Sequence, residues 1–262
     1  MHAIYNDQLL DEQELKFSYD NRSFQYGDGI FETIIVKEGK TKLIDYHLDR
    51  LTEGLQILGI SHDLTLDKIT NKIQDLLDFH NLQNARLKLQ VWRKKGGLYT
   101  PTGNESDYLL TITNLSHQKS QLLNIDFSEK SYISQTPISK FKTCNSLSYI
   151  IAGIEKYNRR LDDLILLNNE GYIAECISSN IFWIKDGIYY TPSLDTGCVA
   201  GIMRRYILEA CKKNNVFVEI GKYSKQDILN ADSAFTSNVT GCFPITQIGQ
   251  KQYSIDIPDF IA

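Results

Sequence analysis

Between residues 45 and 93 the apolar period of the chain changes from helical spacing to alternation. In DYHLDRLTEGLQILGI (45–60), Leu48, Leu51, Leu55 and Leu58 recur at helical spacing, and Asp45 is placed to cap the start. A second helix is expected over 65–80, where Leu66, Ile69, Ile73, Leu76 and Leu77 share one face. The next stretch, ARLKLQVWR (85–93), alternates Leu87, Leu89 and Val91, the period of a half-buried strand. A chain that switches period this way is neither an all-helical bundle nor an all-β sandwich.

The same mixture continues to the end. Ile34 and Val36 lead through the turn signal KEGK (37–40) into TKLI, which reads as a hairpin, and DYLLTITNL (107–115) reads as a strand. NLSHQKSQ (114–121) is polar and aperiodic, a candidate linker. Beyond it the pattern predicts a strand at LLNIDF (122–127) and a helix over 146–161 buried through Leu147, Ile150, Ile151, Ile154 and Tyr157. Two strand pairs follow, DLILLNNEGYIAE and IFWIKDGIYYTP, the second turning at Asp186-Gly187. A helix over 202–213 and a strand–turn–strand unit, ADSAFTSNVTGCFPITQIG, close the chain. The expected class is α/β in the broad sense, a mixed α+β fold, with domains at 1–115 and 116–262, the second carrying Lys142.

Composition narrows the function classes. Of 262 residues 42% are hydrophobic and 23% charged, ordinary for a globular protein, and a net charge of −4 offers no basic field to nucleic acid. No apolar run is long enough to span a bilayer, and MHAIYNDQLL has neither the charged nor the apolar region of a signal peptide. Five scattered cysteines without a C-x-x-C pair, and five histidines without ligand spacing, point away from disulfides and metals and towards a reducing cytoplasm.

Five places can carry chemistry. In SKFKTCNSLSYIIAGI (139–154), Lys142 stands between a strand and an apolar helix, with Thr143, Asn145 and Ser146 to turn the chain. It is either a solvated neighbour of Lys140 or a desolvated, nucleophilic amine of the kind that Schiff-base chemistry needs. In GYIAECISSN, Glu175 ends an apolar strand ahead of the polar cluster Ser178, Ser179 and Asn180. That is an ordinary polar turn, or a carboxylate fixed to face a pyridinium nitrogen. VAGIMRRY opens a helix after a glycine, which is an ordinary helix start or a place where backbone N–H groups point at an anion. FTSNVTG (235–241) is a hydroxyl-rich turn, and Arg50 flanks the apolar stripe of the 45–60 helix. An amine for an aldehyde, a carboxylate for a ring nitrogen, and an arginine with two donor-rich turns for a phosphate together describe pyridoxal 5′-phosphate.

In order, YGDGIFETI (26–34), HLDRL (47–51), FKTCN (141–145), GYIAE…SSNIFWIKDGIYYTP (171–192), VAGIMRR (199–205) and FTSNVTG (235–241) resemble the class IV aminotransferases, the fold-type IV pyridoxal-phosphate enzymes. The resemblance spans nearly the whole chain. It implies a two-domain fold like that of D-amino acid aminotransferase, with the cofactor in the cleft between domains and a homodimer. It assigns Lys142 to the cofactor aldehyde and to proton transfer, Glu175 to the pyridine nitrogen, and Arg50, Ile202, Met203, Ser237 and Asn238 to the phosphate. Asn180 joins the cofactor set, and Arg93, Thr33 and Phe31 the substrate set. Met203 stands where branched-chain enzymes usually have threonine, and Ser146 at or near a tyrosine position of theirs. These features lean towards 4-amino-4-deoxychorismate lyase. The alternative is a branched-chain or D-amino acid aminotransferase. A non-catalytic binding protein on the same fold ranks behind both.

Overall fold

The computed structural model describes residues 2–115, 122–255, 257 and 260, so most of the 114–121 linker candidate lies outside the described residues. The chain divides into two compact units. The first holds the residues up to 115 together with Phe141–Asn145; the second holds 122–140 and the chain from Ser146 onward. The segment with Lys142 therefore belongs to the first unit, which corrects its expected membership of the second domain. The reason is backbone pairing with a first-unit strand, described below.

In the first unit the strands are β1 (His2–Tyr5), β2 (Gln8–Asp11), β3 (Gly29–Lys37), β4 (Lys40–Thr41), β5 (Ala85–Arg93) and β6 (Ser106–Asn114); the helices are α1 (Arg22–Tyr26), α2 (Ile44–Ile57) and α3 (Leu66–His80). The strands form one antiparallel sheet in the order β2-β1-β6-β5-β3-β4. Its register pairs Ile30 with Val91, Glu32 with Leu89, Ile34 with Leu87 and Val36 with Ala85. Residues opposite one another share a face, so on one side the paired stretch of β3 and β5 is an apolar surface that Glu32 interrupts. Leu51 and Leu55 of α2, and Ile69, Ile73, Leu76 and Leu77 of α3, supply buried helical faces. The other face of β3 and β5 carries Phe31, Thr33, Lys88 and Gln90. Asp45 does not cap α2: Leu43 takes that position in a left-handed conformation with no side-chain cap bond. Asp45 falls inside the first turn, where its charge still suits the helix dipole.

In the second unit the elements are β7 (Leu123–Ile133), α4 (Leu147–Arg159), β8 (Asp163–Asn168), β9 (Ile173–Cys176), β10 (Asn180–Lys185), β11 (Ile188–Pro192), α5 (Ile202–Lys213), β12 (Val218–Gly221), α6 (Lys225–Leu229), β13 (Ser233–Asn238), β14 (Gly241–Ile248) and β15 (Lys251–Gln252). The sheet runs β12-β11-β10-β13-β14-β7-β8-β9, with β15 on β14, and mixes parallel and antiparallel pairs. Asp186 and Gly187 both have positive φ, the turn their sequence announces. Ile165, Ile181, Trp183 and Ile245 share one core cluster; Phe182, Phe235, Ile207 and Cys211 form another beneath α5.

α4 turns the opposite way from its sequence expectation. Leu147, Ile150, Ile151, Ile154 and Tyr157 are exposed, while Ala152 and Glu155 are buried. Glu155 accepts from Ser128 Oγ and from the backbone N–H of Glu129 and Lys130, at an irregularity in β7 whose amides would otherwise be unsatisfied. All five cysteines carry free thiols. Among the described residues no helix is long and apolar enough to cross a membrane.

The contact between α2 and β3 is tight enough to test. A Cβ on Gly54 would lie 2.3 Å from Ile30 Cδ1 and 3.0 Å from the Phe141 ring. Ile30 is fully buried and Phe141 nearly so, so neither has room to yield. Gly54→Ala gains up to about 1 kcal/mol of helix propensity but incurs about 1–3 kcal/mol of overpacking. Urea unfolding is expected to show a net loss of stability; an unchanged or raised midpoint would contradict this packing.

Candidate active site

The segment Phe141–Asn145 is held by β3. Phe31 N–H donates to Lys142 O at 2.8 Å, and Cys144 N–H donates to Gly29 O at 2.9 Å. Thr143 thereby makes an isolated antiparallel bridge to Ile30. The YGDG motif clears the space. Gly27 ends α1 in a left-handed conformation, and a Cβ there would sit 3.1 Å from Asn145 N. A Cβ on Gly29 would meet Val91 O at 2.5 Å. Lys142 Nζ comes out 4.9 Å from the centre of the Phe31 ring. Thr33, the other expected substrate residue on this face, is buried.

Behind the sheet, Arg50 gives Nε to Glu32 Oε1 at 2.7 Å and a terminal nitrogen to Oε2 at 2.6 Å. His47 Nδ1 lies 2.6 Å from Oε2. An ionised carboxylate only accepts, so Nδ1 carries the proton. Burial pushes the Glu32 carboxyl up, but the Arg50 charge and the bonds from His47 and Arg50 outweigh it and hold it below its ordinary value. Arg50, expected on a phosphate, is thus fixed through a buried two-point pair.

Arg93, expected in the substrate set, has all three guanidinium nitrogens engaged within the first unit. Its Nε donates to Asp28, one terminal nitrogen to Gly59 O, Gly103 O and Asn104 Oδ1, and the other to Leu58 O. It is 4% exposed and ties loops together with its whole fork. Arg22 shares Asp28 and holds the carbonyls of Gly96, Gly97 and Leu98.

In the second unit, Glu175 ends β9 with both oxygens bonded. Tyr149 OH donates to Oε1 at 2.6 Å and Val199 N–H to Oε2 at 3.0 Å. Burial, then the charge of Glu175, pushes the Tyr149 phenol well up, so it stays a donor. Asn180 positions the chain ahead of α5. Its Nδ2 donates to Val199 O at 2.9 Å, and a Cβ on Gly201 would collide with its Oδ1. Asp163 organises the turn between Glu175 and Asn180, accepting from Ile177 N–H and Ser179 Oγ. Ile202 and Met203 are the first two residues of α5, which has Gly201 at its cap and no side-chain cap bond, so their amides lack intrahelical acceptors. Ser237 Oγ, at the end of β13, is buried without a hydrogen-bond partner. Asn238 Oδ1 instead accepts from Thr240 N–H and Oγ1, shaping the following turn.

Tyr149, His47 and Asp163 were missed by reading the sequence. His47 alone had a signal, since it lies one helical turn before Arg50 on the buried face of α2. Tyr149 and Asp163 reach their partners through tertiary folding and leave no local pattern.

Comparison with known proteins fits this geometry. The family model for class IV amino-transferases matches residues 29–248. Aminodeoxychorismate lyase of Bacillus subtilis (strain 168) is 31% identical over 255 residues, 95% of this chain and 87% of that one. D-alanine aminotransferase of Bacillus licheniformis is 25% identical over 261 residues, 95% and 88% of the two chains. The crystal structure of a branched-chain aminotransferase from Thermoproteus uzoniensis superposes with a TM-score of 0.90 at 20% identity, covering 98% of this chain and 90% of that one, a likeness of fold. The chain belongs to the class IV amino-transferase family, and it is an enzyme of that family.

The Glu32 pair gives a pH-dependent test. Arg50→Met leaves a buried carboxylate with one partner fewer and is expected to cost about 3–5 kcal/mol at neutral pH. In the parent, Glu32 contributes stability above its ordinary pKa of 4.5 and loses it as pH falls through the depressed folded value. In the variant, burial raises the carboxyl instead, so protonation relieves the defect. The gap between the two urea curves therefore narrows as pH falls towards 4.5. A gap that stays constant or widens would contradict the ion pair.

Proposed function

We propose that this chain is a pyridoxal 5′-phosphate-dependent 4-amino-4-deoxychorismate lyase, releasing pyruvate and 4-aminobenzoate for folate synthesis. The observation that carries the cofactor reading is a carboxylate, Glu175, whose two oxygens are both fixed by donors, on a chain that also presents Lys142. The residues present suit the cofactor's phosphate as well. Ser237 Oγ is a buried polar atom without a partner, and the α5 start offers uncapped amides. The choice of lyase is supported by the 31% identity to the Bacillus subtilis enzyme over 95% of this chain.

When bound, the cofactor supplies the electron sink that no side chain provides. Lys142 would hold the cofactor through its aldehyde and would serve as the base for the proton on the amine-bearing carbon of the substrate. Glu175, oriented by Tyr149 and Val199, would be the carboxylate for the ring nitrogen and would favour its protonated form. Arg50, held by Glu32, is the cation assigned to the phosphate, together with Ser237 and the amides of Ile202 and Met203. The reaction balances without a keto acid. A proton leaves the amine-bearing carbon, the enolpyruvyl C–O bond breaks, and the departing fragment takes up a proton as pyruvate.

A homodimer in the cytoplasm completes this reading. The exposed apolar stripe of α4 supports self-association, and the free thiols suit a reducing compartment. Ile150→Glu combined with Ile154→Glu is expected to shift the protein to monomer in sedimentation velocity; an unchanged dimer would remove α4 from the interface.

Incubating the protein with pyridoxal phosphate and 4-amino-4-deoxychorismate, with no keto acid, is expected to give pyruvate and 4-aminobenzoate in equal, catalytic amounts. Lys142→Ala is expected to abolish both. Neither product from cofactor-loaded protein, or normal turnover by the variant, would contradict the proposal.

A further inference from the structure

Arg204 is the one buried cation among the described residues of the second unit, and it stands in the first turn of α5. A terminal nitrogen donates to Pro192 O at 3.0 Å, while Nε is buried with no hydrogen-bond partner. A guanidinium keeps its proton inside proteins, so the charge itself is buried. Such a charge is costly unless an anion answers it. Burial pulls the guanidinium down, and Cys198 and then Glu175 push it back up. Cys198 is not an anion near neutral pH, because burial, then the charge of Glu175, pushes its thiol up to about 12. Glu175 is the anion that remains of the two.

The chain between β11 and α5 joins the two groups. Pro192 O receives Arg204, Val199 N–H reaches Glu175 Oε2 at 3.0 Å, and Val199 O accepts from Asn180 Nδ2. Three further titratable groups surround Glu175 in this unit besides Cys198. Tyr149 on α4 donates to Oε1, Cys176 follows Glu175 in β9, and the charge of Asp163 on β8 reaches Cys176. All of these are acids, so Arg204 is the cation of the set. We propose that Arg204 is a positioning residue for Glu175: its buried guanidinium keeps that carboxylate ionised, so that the ring nitrogen of the cofactor meets an anion. This rests on the cofactor reading of Glu175 given above. It adds a charge to the two short bonds, from Tyr149 and Val199, that aim the carboxylate.

The test uses Arg204→Gln, which keeps a donor for Pro192 O without the charge, and Arg204→Lys, which keeps the charge. In the full-length apoprotein, NMR of isotope-labelled glutamate carboxyls follows Glu175, assigned by the signal lost in Glu175→Gln. Its titration midpoint is expected to rise by about one pH unit in Arg204→Gln and to return most of the way in Arg204→Lys. The same proteins are titrated with pyridoxal phosphate and with its carbocyclic analogue, in which C–H replaces the ring nitrogen. The parent is expected to prefer pyridoxal phosphate, and Arg204→Gln to lose about tenfold of that preference through weaker binding of pyridoxal phosphate alone. An unmoved midpoint with an unchanged preference would overturn the role of Arg204. Equal weakening of both ligands would overturn it too, by making Arg204 a support for the loop and not for the charge. A parent that does not distinguish the two ligands would overturn the cofactor reading of Glu175, and a raised midpoint in Arg204→Gln would then leave the charge coupling standing. If Arg204→Gln does not fold, Glu175→Gln decides. Losing the anion leaves the guanidinium unanswered, so its urea midpoint is expected to fall, and an unchanged one would overturn the pairing.

Discussion

Two backbone hydrogen bonds, between Phe31 and Lys142 and between Cys144 and Gly29, decide where Lys142 stands. They attach a segment that arrives from the second unit to a strand of the first. The YGDG motif makes this possible: a side chain on Gly27 would press on Asn145, and one on Gly29 would press on β5. Asp28, between the two glycines, accepts from Arg22 and Arg93 and so anchors the start of β3 from the other side. Because Phe31 and Glu32 are neighbours in one strand, they point to opposite faces. One face carries the Phe31 ring beside Lys142 and the other carries Glu32, whose carboxylate fixes Arg50.

Beside Glu175, three buried carboxylates among the described residues organise the molecule, and each is satisfied in a different way. Glu32 is neutralised by a charge, Arg50, with His47 as a third partner. Burial pushes Glu155 up, and the bonds it accepts around Glu129, together with Ser128 and Arg159, bring it below its ordinary value. Asp163 goes the other way: burial dominates the bonds from Leu164 and Ile177 and raises it. The difference follows from partners. At Glu155 the amide and hydroxyl donors are joined by Arg159 and together outweigh burial, whereas at Asp163 burial outweighs the amide and hydroxyl donors. Glu175 depends on the order that Asp163 and Asn180 impose on the loop that follows it.

Period was the readable part of the sequence. The β5 strand and the α5 helix have the limits that alternation and helical spacing indicated, and the hairpin at Asp186-Gly187 followed from its turn chemistry. Local spacing identifies which helix face is apolar but not which face is buried. α4 therefore reads as buried through Leu147, Ile150 and Ile154, whereas the inward face carries Glu155, required by amides in β7. Arg93 was legible as a cation at a strand end. Its partners at Leu58, Gly59 and Gly103 come from loops that only the fold assembles. The same limit hid Tyr149, whose bond to Glu175 joins a helix to a strand end.

The central claim is that Lys142, placed by the strand β3, is the amine that takes the cofactor aldehyde. Borohydride reduction of the pyridoxal-phosphate-loaded protein, followed by digestion and mass spectrometry, tests it without any substrate. One phosphopyridoxyl group per chain is expected, on Lys142. A tag on Lys140 or Lys88, or no stable tag at all, would contradict it.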